Sequence, residues 1–324
     1  MTKLDRIGVL TSGGDAPGMN PCLRAIVRTA LSHQVEVIGI REGFDGLLRG
    51  ERERLTARDV GGILQRGGTF LQTARCPAFF EKKGRIQALR ELNQAGVEGL
   101  IVIGGDGSMR GAHELAKMDF PTVGVPASID NDIWGTNMSL GVDTALNTIM
   151  EAVDKLRDTA SSHHRAFLIE TMGRNCGYLA MMGGIICGAE VILVPERDST
   201  LQEVAEAVEN AYARGKTHCI IIVAEGAGLK PNQVVSHLES LEVGFRTRVT
   251  ILGHIQRGGR PSAFDRMLAT RMGVKAVESL LDGEADVMVG LQGRDIVTFP
   301  LEKVISERRE ANIEYYDMAR MLAR

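Results

Sequence analysis

The 324-residue chain has no CxxC pair among its five cysteines, Cys22, Cys76, Cys176, Cys187 and Cys219. An odd, scattered set argues against a disulfide framework and a zinc site, and leaves reduced thiols packed as small apolar side chains. No stretch of about 18 uninterrupted apolar residues occurs, so a membrane-spanning helix is not expected. The opening MTKLDRIGVL runs straight into strand-like sequence without the apolar region and cleavage site of a secretory leader, and a cytoplasmic location is expected. A basic excess is also missing. The 38 Lys and Arg stand against 41 Asp and Glu, a net charge of −3, which gives no global field for nucleic acid or membrane. Cations that bind an anion must therefore be clustered locally. The GxxxxGK[ST] loop, the HRD and DFG signatures and the GxSxG elbow are all absent. No Pro- or Ser-rich linker divides the chain, which is long enough for two domains. A second domain must be built by the chain crossing over and back.

What the sequence does have is glycine, 38 residues of it, and short runs of Val, Ile and Leu. The runs fall at residues 7–10, 35–40, 100–103, 122–125, 166–169, 191–194, 219–224 and 249–252. Continuous apolar runs of this length suit strands buried on both faces, as in parallel sheets. The segments between them have helical period. Leu23, Ile26, Val27, Ala30 and Leu31 line one face of a helix whose start is marked by Asn20-Pro21, read as a cap followed by Pro at the first position. Arg24 and Arg28, four apart, share a face away from that stripe. Residues 201–213 and 266–281 read the same way. Strand and helix alternating throughout predicts an α/β, doubly wound architecture.

Six of the strand ends carry polar chemistry. The turn TSGGD follows the first run, GGDGS the third, PASIDND the fourth, ETMGR the fifth, EG the seventh and GHIQRGG the eighth. Ligands of open α/β sheets bind outside the carboxyl ends of the strands. In GGDGS, glycines allow backbone N–H groups to approach phosphate, and Asp106 makes sense if a divalent cation sits between carboxylate and phosphate. The alternative is a tight turn that needs glycine and tolerates Asp. Asp130 and Asp132 place two carboxylates two residues apart, suited either to base and companion roles or to an Asx turn or helix cap. Arg75, Arg165, Arg174, Arg248 and Arg257 lie in or near turns or strand ends, more phosphate-seeking side chains than a neutral substrate needs. His254 sits three before Arg257, at a spacing that puts both on one face of a helix start. A Gly-cradled polyphosphate, an Arg-clamped phosphate and an Asp suit phosphoryl transfer.

TSGGDAPGMN (11–20), RGGTF (66–70), IGGDGS (103–108), SIDND (128–132), ETMGR (170–174), AEG (224–226) and GHIQRGG (253–259) together resemble the bacterial ATP-dependent 6-phosphofructokinases. The likeness runs from Ile7 to about Gly293. It implies two doubly wound, mostly parallel-sheet, Rossmann-like domains with chain crossovers, one at 1–140 plus 256–309 for ATP and a smaller one at 141–255 plus 310–324 for fructose 6-phosphate. It implies Mg²⁺ as cofactor, ATP as co-substrate, a glycolytic reaction and a homotetramer with shared sites. Asp130 matches the proton acceptor and a substrate contact, Asp132 the companion carboxylate, and Arg174 a sugar-phosphate contact whose charge also makes it a catalytic candidate. Asp106 matches the Mg²⁺-associated carboxylate. Gly14, Arg75, Cys76, Gly105, Asp106, Gly107 and Ser108 match ATP contacts. Ser128, Ile129, Met172, Gly173, Glu225, His254, Ile255, Gln256 and Arg257 match sugar-phosphate contacts, and Arg165 and Arg248 the arginines supplied by a neighbouring subunit. Arg24, Arg28, Arg157, Gly188, Glu190, Arg214, Lys216 and His218 match an effector site for ADP and phosphoenolpyruvate.

Three features qualify the match. Ser128 stands where Thr is common and keeps the hydroxyl. Ala57 replaces one Arg of an effector loop, with Arg58 one place on, and Thr217-His218 varies from a more basic run. Pyrophosphate-dependent relatives commonly carry Asp at the position of Gly107 and Lys at that of Ala127, so this chain sides with ATP. A non-catalytic sugar-phosphate sensor is disfavoured by the presence of Asp106, Asp130, Asp132 and Arg174, and a nicotinamide dehydrogenase by the first turn, SGGDAPG, which is not GxGxxG.

Overall fold

The computed structural model describes residues 4–323, which fall into two units. The first comprises the described residues up to Ile129, Ile133–Thr144 and Arg257–Arg308; the second comprises Asp130–Asp132, Ala145–Gln256 and the described residues from Arg309 on.

Along the first unit run β1 (Arg6–Ser12), α1 (Met19–Ser32), β2 (Glu36–Ile40), α2 (Gly43–Arg49), β3 (Arg52–Leu55), α3 (Lys82–Gln94), β4 (Gly99–Gly104), α4 (Asp106–Ala116) and β5 (Thr122–Pro126). Helix α5 (Val142–His163) leads into the second unit, with β6 (Arg165–Thr171), α6 (Tyr178–Ile186), β7 (Val191–Leu193), α7 (Leu201–Ala213), β8 (Cys219–Ala224), α8 (Pro231–Ser240) and β9 (Arg246–Ile251). The chain returns to the first unit for α9 (Ala263–Leu281), β10 (Val287–Gln292), β11 (Asp295–Pro300) and α10 (Leu301–Ser306), and ends in the second with α11 (Glu314–Leu322).

The first sheet has strand order β11-β10-β5-β4-β1-β2-β3. Its interior pairs are parallel; β3 and β11 join antiparallel at the two edges. Val9, Leu10, Ile101 and Val102 are fully buried, each such aliphatic side chain contributing about 1.5–3 kcal/mol on leaving water. Strand β1 feeds β2 on one side while β4 pairs on its other, so the order reverses between β1 and β4, the place at whose carboxyl ends open α/β sheets bind ligands. The second sheet, β7-β8-β6-β9, is wholly parallel. Its reversal lies between β6 and β9.

All eight apolar runs are strands. Three strands have no counterpart among them. The RERL segment of β3 is charged because it is an edge strand with one wet face, and β10 and β11 form a hairpin with Gly293 at φ 59°. The expected cap at Asn20 is corrected. Helix α1 begins at Met19, Gly18 precedes it, and Asn20 is buried inside the first turn. Its side chain donates to the carbonyls of Arg66 (3.0 Å) and Gly67 (3.2 Å) and accepts from the Phe70 N–H (2.7 Å). Satisfying a loop's backbone groups from a buried amide is worth more here than capping a helix.

Candidate active site

The first unit brings two glycine turns side by side, because β1 and β4 pair in parallel with Ser12 opposite Gly104. Gly105 precedes α4 with no side-chain cap, and its carbonyl accepts the N–H groups of Ser108 (2.9 Å) and Met109 (3.0 Å). The amides of Asp106 and Gly107 are left at an uncapped helix start, the geometry that suits an anion. A Cβ at Gly107 would meet nothing within 4 Å, so the space in front of this turn is open. At Gly14 the opposite holds: a Cβ would come within 2.5 Å of the Arg257 guanidinium. Loop 72–76 is tied to the same rim, with the Thr11 hydroxyl donating to the Gln72 carbonyl (2.8 Å) and the Thr73 hydroxyl to the Gly13 carbonyl (2.9 Å). That anchoring delivers exposed Arg75 and half-buried Cys76, whose thiol burial pushes up in pKa. Ser128 and Ile129 follow β5, where the Ser128 N–H donates to the Leu140 carbonyl at 3.2 Å.

Asp106 is half-exposed, and Arg110, one turn on, grips both its oxygens, Nε to Oδ2 at 3.0 Å and Nη2 to Oδ1 at 3.2 Å. The i,i+4 spacing makes Arg110 findable in the sequence, yet it was not among the expected residues. Among the described residues no three His, Cys, Asp or Glu side chains cluster to hold a metal. The donor set fits Mg²⁺ nonetheless, since this ion is held by one or two carboxylates plus nucleotide phosphates rather than by a protein cage.

The second unit carries the carboxylate turn. Asn131, at φ 53°, turns the chain between Asp130 and Asp132. The Asp130 side chain is 5% exposed, and its Oδ2 lies 3.3 Å from Nε of Arg174, which is 62% exposed. Arg174 itself has φ 51°, a strained left-handed backbone. What holds it there is Glu225 at the end of β8, whose Oε1 accepts the N–H groups of Gly173 (3.2 Å) and Arg174 (2.6 Å). Buried Gln256 braces the same turn, its Oε1 accepting the Met172 N–H at 3.3 Å across the β6–β9 reversal. His254 and Ile255 are exposed in the 3₁₀ turn Gly253–Gln256; Arg257 follows that turn in the first unit. Arg165 opens β6, six residues before Thr171 and therefore about 20 Å from the Arg174 end. Arg248 sits mid-strand on edge strand β9, opposite Phe167.

The family model for phosphofructokinase matches residues 6–280. The chain belongs to the phosphofructokinase family. Phosphofructokinases are kinases, enzymes that move a phosphoryl group to an alcohol. The ATP-dependent 6-phosphofructokinase of Thermotoga neapolitana is 50% identical over 99% of this chain and all of the relative, and that of Brevibacillus brevis is 48% identical over 98% and 99%. The solved phosphofructokinase of Saccharomyces cerevisiae is 40% identical with a TM-score of 0.89, covering 93% of this chain and 45% of the yeast chain. A pyrophosphate-dependent phosphofructokinase from Marinobacter aquaeolei shares the fold at 21% identity, with a TM-score of 0.86 over 96% of this chain and 86% of its own. Among the described residues no helix is long and apolar enough to cross a membrane.

Most of the residues expected to form an effector site lie in the second unit. Lys216 Nζ lies 2.8 Å from Glu190 Oε1, and Glu190 Oε2 accepts the Ile220 N–H at 2.6 Å. Arg157 donates to the Cys187 carbonyl, next to Gly188. His218 Nδ1 pairs with the Ser161 hydroxyl at 2.9 Å, and burial lowers its imidazole pKa against the pull of Glu190. Glu190 and Arg214 also line a cavity of about 470 Å³ with Arg197, Tyr316 and Arg320. Arg24 and Arg28 lie on the first unit's α1, Arg24 half-buried and Arg28 exposed.

Proposed function

We propose that the chain is an ATP-dependent 6-phosphofructokinase: it transfers the γ-phosphoryl group of ATP to the 1-hydroxyl of D-fructose 6-phosphate, giving fructose 1,6-bisphosphate and ADP, a step of glycolysis. The observation that carries the reading is the pairing of buried Asp130 with exposed Arg174 at 3.3 Å. A carboxylate shielded from water accepts the hydroxyl proton, and the adjacent guanidinium steadies negative charge as the phosphoryl group moves. Asp132 is the companion carboxylate on the same turn. ATP is bound by the larger domain, 1–140 with 256–309, through Gly14, Arg75, Cys76 and the 105–108 turn. Fructose 6-phosphate is bound by the smaller, 141–255 with 310–324, through Met172, Gly173, Arg174, Glu225, His254 and Ile255, with Ser128, Ile129, Gln256 and Arg257 completing the set.

Asp106 would hold Mg²⁺ together with the nucleotide phosphates, and the bound ion supplies charge neutralisation there. Arg110 must release Asp106 for this. The placement of Arg165 at the start of β6, about 20 Å from the Arg174 end, supports its delivery, together with Arg248, by a neighbouring subunit, hence a homotetramer. The reading is tested by a coupled assay of fructose bisphosphate formation with ATP and with pyrophosphate. Turnover with ATP is expected; turnover with pyrophosphate alone would overturn it. Gly107→Asp sharpens the test. A carboxylate in that open space repels a nucleotide phosphate by about 4 kcal/mol at 4 Å and an effective dielectric of 20. At about 1.4 kcal/mol per decade, the KM for ATP is then expected to rise by up to roughly 10³-fold.

The second-unit residues around Glu190, namely Arg157, Gly188, Arg214, Lys216 and His218, support an effector site for ADP and phosphoenolpyruvate, weakened by Ala57, to which the family resemblance adds Arg24 and Arg28. Fructose 6-phosphate saturation curves are expected to shift when either effector is added. Superimposable curves would remove the regulatory reading and leave the catalytic one intact.

A further inference from the structure

The C-terminal part of the second unit touches both turns on which the chemistry rests. The Arg309 N–H donates to the Asp132 carbonyl at 3.4 Å. The Arg309 guanidinium lies 5.4 Å from the centre of the Tyr178 ring, the first residue of α6. Two residues further on, the Ala311 N–H donates to Glu196 Oε1 at 3.0 Å. That same oxygen accepts the Gly177 N–H at 2.8 Å, at the residue just before α6. One carboxylate oxygen thus ties the 309–311 segment to the end of the turn that begins at Arg174, and Arg309 ties the segment to the turn that carries Asp130. The fit at Gly177 is close: a Cβ there would lie 2.5 Å from Glu196 Oε2.

Oε2 itself is buried with no hydrogen-bond partner. A buried, unpaired carboxylate oxygen costs stability, so an acid at this place is poorly explained by stability alone. What it does supply is an acceptor long enough to reach two backbone donors far apart in sequence.

We propose that Glu196 is a positioning residue for phosphoryl transfer, holding the Arg174 turn in register with the Asp130 turn through residues 309–311. The inference rests on the reaction proposed above. A misplacement of about 1 Å at a reacting group costs up to about 10²-fold in rate, and loss of Glu196 frees two of the contacts that fix Arg174 relative to Asp130.

The test compares Glu196→Ala, Glu196→Asp and Glu196→Gln with the wild type, with thermal unfolding measured in parallel and rates expressed per folded enzyme. Ala is expected to lower kcat by about 10- to 100-fold with the KM for ATP unchanged. Asp keeps the charge but is one methylene too short for both donors, so it is expected to fall with Ala. Gln keeps a carbonyl oxygen at full reach and is expected to restore most of kcat. Should Ala fail to fold, the order of Gln over Asp still decides the matter. Wild-type kcat in Ala and Asp with only a lower Tm would overturn the proposal, as would Asp outperforming Gln. A wild type that does not phosphorylate fructose 6-phosphate overturns the proposed reaction and this inference with it; an active wild type with unaffected variants overturns the inference alone.

Discussion

Asp130→Ala is expected to abolish turnover while ATP still binds. Loss of a positioned base alone is worth roughly 10²–10⁴-fold in rate, and the effect here is expected at the upper end because the substitution also releases Arg174 from its 3.3 Å contact. Asp130 belongs to the second unit, whereas Gly14 and the 105–108 turn belong to the first. The hydrogen bonds that shape the 105–108 turn run from the Ser108 and Met109 N–H groups to the Gly105 carbonyl and do not use the Asp130 carboxylate. Asp130→Asn separates the two contributions: it preserves shape and can still accept from Arg174, but it cannot take a proton. Its rate is expected to stay close to that of the Ala variant if proton acceptance dominates. A coupled assay measures turnover, and calorimetric titration with ATP measures binding. Unchanged steady-state rates in either variant would remove Asp130 as the base.

Much of this site is local in sequence, which is why it could be read there. Gly105, Asp106, Gly107 and Ser108 form one turn between β4 and α4, and Asp130 and Asp132 form another, so residue type and spacing carry the information. The fully buried strands were legible for the same reason, since two-sided burial writes itself as an unbroken apolar run. Strand β3 was not legible, because an edge strand with Arg52, Glu53 and Arg54 looks like a solvated loop. Asn20 shows a different limit. Its residue type and the following Pro21 fit a helix start, but tertiary demand from the 66–70 loop, some fifty positions away, took the side chain instead. The backbone pairings of Glu225, Gln256 and Glu196 share that character, although the family resemblance names Glu225 and Gln256 as substrate contacts. Each supports the Arg174 turn from 19 to 84 residues away, and such pairings have no signature in a single chain. The first contacts of a site are thus more readable than the groups that hold them in place.

Asp265 is one of those holding groups, and replacing it is expected to cost the most stability. It lies in the first turn of α9, fully buried, and accepts the N–H groups of Gly141 and Thr144, each at 2.9 Å, and the Thr144 hydroxyl at 2.5 Å. It therefore caps the start of α5 from a distant helix. Burial pushes its pKa from the ordinary 3.8 up to about 6, against the opposing pull of those hydrogen bonds. Because the folded state holds the proton more tightly than the unfolded chain, this group's titration stabilises the fold as pH falls from above 6 toward 4. At about 1.4 kcal/mol for each pH unit between the two values, keeping the charge buried costs about 3 kcal/mol above pH 6. Asp265→Ala relieves that cost but orphans three buried donors at about 1–3 kcal/mol each. The net loss at pH 8 is expected to be up to about 6 kcal/mol, with a central value of about 3 kcal/mol. At pH 5 the wild type has recovered part of the charge-burial cost and the variant has gained nothing from this group. The gap between them should therefore widen on acidification, which denaturant unfolding at pH 8, 7, 6 and 5 measures directly. A gap independent of pH would mean that Asp265 titrates as an ordinary carboxylate, and a gap that widened toward pH 8 would mean that its hydrogen bonds outweigh its burial.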